Sequence, residues 1–126
     1  MTANQPAIRI LAADYDRLVA LAESAAAARA PQTASFLQGE LDRAHLVGHA
    51  GVAAVQMGSR VRYRDHGSER VNEVRLVYPT EADIAQGRVS VLSPVGAALI
   101  GLEEGASISW RDNAGQEKTL TVLEVD

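Results

Sequence analysis

The chain has 126 residues, of which 47% are apolar, a formal charge of −4 at pH 7 and no cysteine. Its length suits one domain, or one domain with an appendage, and its acidic balance argues against direct, sequence-specific binding of nucleic acid, because phosphate contacts need clustered cations. The absence of cysteine excludes disulfides and thiol catalysis. The sequence has neither an apolar run long enough to span a membrane nor a signal peptide with a basic start and an apolar stretch, so we expect a cytoplasmic protein that does not enter a membrane.

The first third of the chain has the apolar spacing of two helices. The first helix is predicted to begin at Asp14, a suitable N-cap, and to end before Pro31. The second is predicted to run from about Ser35, which stands three residues before Gln38 in the spacing of a capping box, to Gly48. The apolar positions are Tyr15, Leu18, Ala22 and Ala25 in the first helix, and Ala34, Leu37, Leu41 and Ala44 in the second. Residues 1–50 are therefore interpreted as an N-terminal strand followed by an antiparallel helical hairpin, or short coiled coil.

Residues 51–126 have the alternation of a small antiparallel sheet. Val61 and Tyr63 are predicted to face one side of a strand, which a turn at residues 65–68 joins to a second, antiparallel strand. Residues 107–125 are predicted to form a second hairpin, with its turn at residues 113–115. Between the hairpins, Ser93 is predicted to cap a short helix that starts at Pro94 and stops at Gly101. The fold class is α+β, with one short helix covering the sheet.

The segment LVYPTEADIAQGRVSVLSPVGAALIGLEEG, Leu76–Gly105, resembles the C-terminal domain of the Gre (GreA/GreB) transcription elongation factors. The shared motifs are Pro-x-Glu-Ala-Asp from Pro79 and Ser-Pro-x-x-x-Ala-Leu-Ile-Gly from Ser93. The resemblance is closer to the Rnk branch of that family, named as regulators of nucleoside diphosphate kinase, which has a similar strand at Met57–Tyr63. It implies an FKBP-like domain that docks on RNA polymerase near the secondary channel.

The resemblance also implies a docking site and a limit on activity. The polymerase-binding positions carried over from the Gre factors are Leu92, Ser93 and Pro94. In Gre factors, acidic residues at the tip of a long coiled coil hold a catalytic magnesium ion, and the polymerase then cleaves its own backtracked transcript. Residues 24–35 of this chain contain no Asp or Glu, and its helices are short. We therefore expect a non-enzymatic transcription regulator that binds RNA polymerase without stimulating cleavage.

Two other groups of residues have both a structural and a functional interpretation. His45 and His49 have the i, i+4 spacing of zinc ligands on a helix, but no third ligand is evident, and we expect no metal site and no cofactor. Arg60, Arg62 and Arg64 share one strand face. They form either a solvated stripe paired with Glu69 and Glu73 or a secondary contact for an acidic protein surface.

Two further classes of function remain open at this stage. An FKBP-like domain suggests a peptidyl-prolyl isomerase or chaperone, although the few aromatic residues, Phe36, Trp110 and three tyrosines, largely lack the lining such a pocket needs. A structural module is the other alternative, in which the Ala-rich hairpin packs on a second copy as a weak homodimer.

Overall fold

The structure, a computed structural model, describes residues 8–24, 28–48, 54–111 and 114–126. The elements are β1 (Arg9–Leu11), α1 (Ala12–Ala22), α2 (Pro31–Arg43), β2 (His45–Val47), β3 (Arg60–Asp65), β4 (Arg70–Val77), β5 (Arg88–Ser90), α3 (Pro94–Leu99), β6 (Ser107–Arg111) and β7 (Glu117–Val125). Two 3-10 turns, Pro79–Glu81 and Ile84–Gln86, join β4 to β5. None of the helices in these ranges has the length and apolar composition to cross a membrane.

Five strands form one sheet in the order β5-β4-β3-β7-β6, which confirms the α+β architecture. Both predicted hairpins are present, since β3 pairs antiparallel with β4 and β6 with β7. The prediction of a fully antiparallel sheet was wrong for one strand, because β5 runs parallel to β4. The connection with the two 3-10 turns reverses the chain before β5 begins, so β5 runs in the same direction as β4 and pairs with its last three residues, starting with Arg88 opposite Arg75.

The alternation in β3 is confirmed by burial. Val61 and Tyr63 are buried while the three arginines between and beside them are exposed. The inward side chains of the sheet join one core cluster that also takes in residues of both hairpin helices, among them Leu18, Leu37 and Leu41. The hairpin therefore does not stand away from the sheet, and α2 packs on α3.

The helices were predicted but their boundaries were wrong. α1 begins at Ala12, two residues before Asp14, which instead lies in the first turn and complements the positive end of the helix dipole. α2 begins at Pro31, because proline lacks the N–H that a first helical residue leaves unpaired in any case. Ser35 consequently lies inside α2 and is not its cap.

The second helix ends at Arg43 and not at Gly48, because the residues that follow pair with the start of the chain. β2 lies parallel to β1 in a two-stranded sheet that was not predicted. The buried amide of Gln56 then joins β1 to the rest of the fold. Its Nε2 donates to the Arg9 carbonyl oxygen at 2.7 Å, and its Oε1 accepts from the Leu11 N–H at 3.0 Å.

Candidate functional site

The segment that the resemblance marks for docking, Leu92–Pro94, follows β5 and ends with the first residue of α3, and it is called here the Ser-Pro loop. Ser93 caps α3 as predicted. Its Oγ accepts a hydrogen bond from the Gly96 N–H at 3.0 Å and donates one to the Ser90 carbonyl oxygen at 2.7 Å. A Cβ built on Gly96 would collide with that same carbonyl oxygen, so α3 packs directly against the end of β5. These contacts hold the loop in one conformation.

The three residues of the Ser-Pro loop differ in how much surface they offer. Leu92 is only 8% exposed and belongs to the core cluster. Ser93 is half-buried, and its hydroxyl is engaged in the two hydrogen bonds of the cap. Pro94 is exposed. A partner that approaches this loop therefore meets the ring of Pro94 first.

An apolar cavity of about 190 Å³ opens on one side of Pro94. Its lining comprises Tyr63, Asp65, Pro94, Val95, Trp110, Lys118 and Leu120. The indole Nε1 of Trp110 is buried and has no acceptor among the described residues. Burial, assisted by the carboxylate of Asp65, raises the pKa of the Tyr63 phenol above its ordinary value. The cavity can thus take an apolar group, whereas the buried indole N–H is not accessible from the surface.

A second cleft, of about 340 Å³, lies on the other side of Pro94 and is called here the hairpin cleft. Its lining comprises Arg29, Ala30, Pro31, Gln32, Thr33, Leu92 and Pro94. The first five residues come from the end of the helical hairpin and the last two from the Ser-Pro loop. The hairpin end and the Ser-Pro loop are therefore adjacent, and Pro94 separates the two cavities.

The hairpin turn is longer on its N-terminal side than the sequence suggested. α1 ends at Ala22 and α2 begins at Pro31, so residues 23–30 connect the helices, and residues 25–27 lie outside the described residues. Glu23, the exposed C-cap of α1, thus belongs to this connection and directly precedes residues 24–35, which contain no Asp or Glu. The turn carries one acidic residue, Glu23, and one basic residue, Arg29.

The hairpin is short in absolute terms. At about 1.5 Å per residue, the 11 residues of α1 span about 16 Å and the 13 residues of α2 about 20 Å.

The arginine stripe is a solvated face with partial pairing. Glu73 lies 3.7 Å from Arg60 and 3.8 Å from Arg62, which confirms it as a partner across the hairpin. Glu124 on β7 is a further partner of Arg62, at 3.7 Å. Within the described ranges neither Glu69 nor Arg64 forms an ion pair. Glu69 lies in the turn with φ 60°, which removes it from the strand face.

The histidine pair does not have the predicted helical geometry. His45 begins strand β2, so the i, i+4 spacing does not place it on a helix face with His49, which lies outside the described residues. In the part of the chain that the structure describes, no group of three or more His, Cys, Asp or Glu side chains could hold a metal ion.

Two features of this region were missed from the sequence. Tyr63 and Trp110 stand 47 positions apart, on β3 and β6, yet they line the same cavity. The available signal was that Trp110 alternates with Ile108, which is buried, and so faces the same side of β6. The uncapped start of α2 was missed because Pro31 was interpreted as the end of a helix.

Comparisons with known proteins agree over almost the whole chain. Residues 50–126 match the family "Transcription elongation factor, GreA/GreB, C-term", and residues 6–47 match "Rnk N-terminus". The "Regulator of nucleoside diphosphate kinase" of Escherichia coli strain K12 is 38% identical over 125 residues, which cover 98% of this chain and 91% of that protein.

Two further relatives are named as transcription elongation factors. The "Transcription elongation factor GreA" of Thermodesulfovibrio yellowstonii is 40% identical over 75 residues, 58% of this chain and 48% of that protein. A solved structure, "Prokaryotic transcription elongation factor GreA/GreB from Nitrosomonas europaea", superposes with a TM-score of 0.71 at 34% identity and covers 96% of this chain and 98% of that one.

Proposed function

The chain belongs to the GreA/GreB family of transcription elongation factors, in its Rnk branch, and from this membership we propose that it binds RNA polymerase near the secondary channel through its Ser-Pro loop. It acts in the cytoplasm as a non-enzymatic regulator of transcription that occupies the polymerase and competes with longer factors. Residues 51–126 form the docking domain, and residues 1–50 form the arm that accompanies it.

The observation that carries this proposal is the exposed ring of Pro94 on a loop fixed by the Ser93 cap, between two cavities. Loops on a rigid scaffold are where binding residues concentrate, because their geometry is fixed before the partner arrives. The arginine stripe provides a secondary contact. Arg64, without an ion pair among the described residues, is its member most available to an acidic surface.

The proposed absence of cleavage stimulation depends on reach and on charge. The helices span about 20 Å at most, and α2 packs on α3 and does not extend away from it. Holding a magnesium ion takes carboxylate oxygens, and the turn supplies the single carboxylate of Glu23, with Arg29 in the same turn.

Binding is tested with purified RNA polymerase and the full chain. We expect the wild type to associate and both Ser93→Arg and Pro94→Ala to lose binding. Ser93→Ala is the matched control, because it removes the capping oxygen at a cost of about 1 kcal/mol without adding bulk. Far-ultraviolet circular dichroism verifies folding of each variant. A wild-type chain that does not associate with the polymerase would refute the proposal.

Cleavage is tested separately on stalled, backtracked elongation complexes. We expect no shortening of the transcript when the chain is added alone, and slower shortening when it is added before a cleavage-competent GreA. Efficient cleavage by the chain alone would contradict the account of reach and charge.

Peptidyl-prolyl isomerase or chaperone activity is the second candidate, and the apolar cavity is what favours it. Tyr63 and Trp110 give that cavity more aromatic lining than the composition suggested. Its volume of about 190 Å³ is nevertheless below the range of roughly 300–1,000 Å³ usual for small-molecule pockets. A proline isomerisation assay decides between the two, since catalysis that Trp110→Ala abolishes would favour the isomerase.

A further inference from the structure

Two side chains of opposite charge line the apolar cavity beside Pro94. Asp65 ends β3, and Lys118, the one lysine of the sequence, lies near the start of β7. The ion pairs of the described residues all involve other side chains, so Asp65 and Lys118 are paired neither with each other nor with a third group. The cavity thus has an unpaired cation and an unpaired anion at its edge.

The sheet fixes how far apart these two charges stand. Asp65 pairs in register with Leu120, so Lys118, two residues before Leu120, is its diagonal neighbour on the same face. Diagonal neighbours in a sheet are about 7–8 Å apart. The Gly67 N–H donates to Oδ1 of Asp65 at 2.8 Å and so helps to orient the carboxylate. Arg70 stands opposite Asp65 on β4 but does not line the cavity.

The space next to the two charges suits one apolar side chain. Its volume is about 190 Å³, and an apolar cavity of about 150 Å³ is enough to hold benzene. Tyr63 and Leu120, which are 8% and 1% exposed, form its buried part, whereas Asp65 is half-buried and Lys118 is exposed. An apolar group that enters therefore leaves water, which favours binding, while a charged group attached to it stays near the surface.

We infer that the apolar cavity binds a free apolar α-amino acid, whose ammonium group contacts Asp65 and whose carboxylate contacts Lys118. Both contacts are charge-assisted hydrogen bonds. A ligand with only a carboxylate would be repelled by Asp65, and one with only an ammonium group by Lys118. A residue inside a polypeptide has neither charge on its backbone. The inference goes beyond the proposed function and does not depend on it, because the polymerase takes no part in it.

Binding is tested by titrating the full chain with L-leucine. Calorimetry measures the affinity, and the emission of Trp110, the one tryptophan of the chain, reports occupation of the cavity that it lines. We expect saturable binding of one leucine per chain. Glycine, which has both charges and no side chain, should not bind. 4-Methylpentanoate and 3-methylbutylamine, which are leucine without its ammonium group and without its carboxylate, should each bind about tenfold more weakly than leucine.

Variants assign each charge of the ligand to its partner. Lys118→Gln and Asp65→Asn should each weaken leucine binding about tenfold. Lys118→Gln should not weaken binding of 3-methylbutylamine, and Asp65→Asn should not weaken binding of 4-methylpentanoate, a crossed pattern that a general loss of structure would not produce. Arg64→Gln is the matched control, because it removes one positive charge from the opposite face of β3 and should leave leucine binding unchanged.

Two results would overturn the inference. The first is that leucine, methionine and phenylalanine all fail to bind the wild type at concentrations up to about 10 mM, where even a weak small-molecule site is detected. The second is that N-acetyl-leucine amide, which lacks both charges, binds as tightly as leucine. The cavity would then select an apolar side chain alone, as a site for a polypeptide does.

Discussion

The substitution Gly101→Ala is expected to be strongly destabilising, because Gly101 joins three parts of the fold. It follows the end of α3 with φ 79°, in the left-handed region. Its N–H donates to the Val55 carbonyl oxygen at 2.7 Å, and its carbonyl oxygen accepts from the Arg9 N–H at 2.9 Å. A Cβ at this position would lie 2.8 Å from the Cβ of Ile8 and 3.2 Å from the Arg9 nitrogen.

Two contributions to the loss can be separated with a matched glycine. An alanine with left-handed backbone angles lowers the stability of the folded protein by about 1–2 kcal/mol, even where its methyl group contacts nothing. Displacing β1 to make room for the methyl group adds about 1–3 kcal/mol, as overpacking does elsewhere. Gly105 has φ 86° and no atom within 4 Å of a built Cβ, so Gly105→Ala incurs only the first cost. We expect losses of about 2–5 kcal/mol for Gly101→Ala and about 1–2 kcal/mol for Gly105→Ala.

Thermal unfolding followed by circular dichroism measures the difference. For a chain of this length, 1 kcal/mol corresponds to about 4 °C in melting temperature, so Gly101→Ala should melt about 4–12 °C below Gly105→Ala. Hydrogen exchange of the Arg9 amide should accelerate in Gly101→Ala alone. Equal losses in the two variants would show that β1 does not approach Gly101 this closely, and the junction between the start of the chain and α3 would have to be revised.

Three further predictions concern the core, a buried ion pair and the tyrosines. Leu37→Ala, at a fully buried position of α2, should lower the free energy of unfolding by about 3–5 kcal/mol in urea titrations, whereas Leu46→Ala, at a position 51% exposed, should change it by less than about 0.5 kcal/mol. Arg43→Ala should lower the free energy of unfolding by about 2–3 kcal/mol, because it leaves the buried Glu40 carboxylate without the two hydrogen bonds, 2.7 and 2.9 Å long, that Arg43 donates to it. Adding Glu40→Gln to the Arg43→Ala variant should recover part of that loss. Burial raises the pKa of the Tyr63 and Tyr78 phenols above 10.0, so these tyrosines ionise at a lower pH in the unfolded chain than in the folded one. The free energy of unfolding should therefore fall as the pH rises above 10, and it should fall less in Tyr63→Phe and in Tyr78→Phe. The same fall in both variants as in the wild type would contradict this explanation.

The elements that the sequence predicted correctly are those whose cause is local. Ser93, Pro94 and Gly101 each have a chemical property that fixes one backbone position, and the structure has them as cap, first helical residue and left-handed stop. The alternation of β3 was equally readable, because one face of the sheet is buried and the other is in solvent.

The features that were missed depend on residues far apart in the chain. An N-terminal strand was predicted, but β2 was not, because its three residues are too few to show a period. The parallel pairing of β2 with β1 joins residues that are 36 positions apart, as Arg9 with His45. Pro31 was misread because proline can either stop a helix or start one, and only the residues around it in space decide which. The cavity between Tyr63 and Trp110 likewise follows from the order of strands in the sheet.

The short hairpin and the position of its turn have a common consequence for how such a chain could act. In a longer arm the turn would lie far from the Ser-Pro loop, whereas here the two line one cleft. Under the proposed function, adding carboxylates to residues 24–30 would therefore not create a cleavage factor, because the turn stays at the docking surface. Restoring cleavage would require longer helices as well as the carboxylates, so reach and charge are separable properties of this arm.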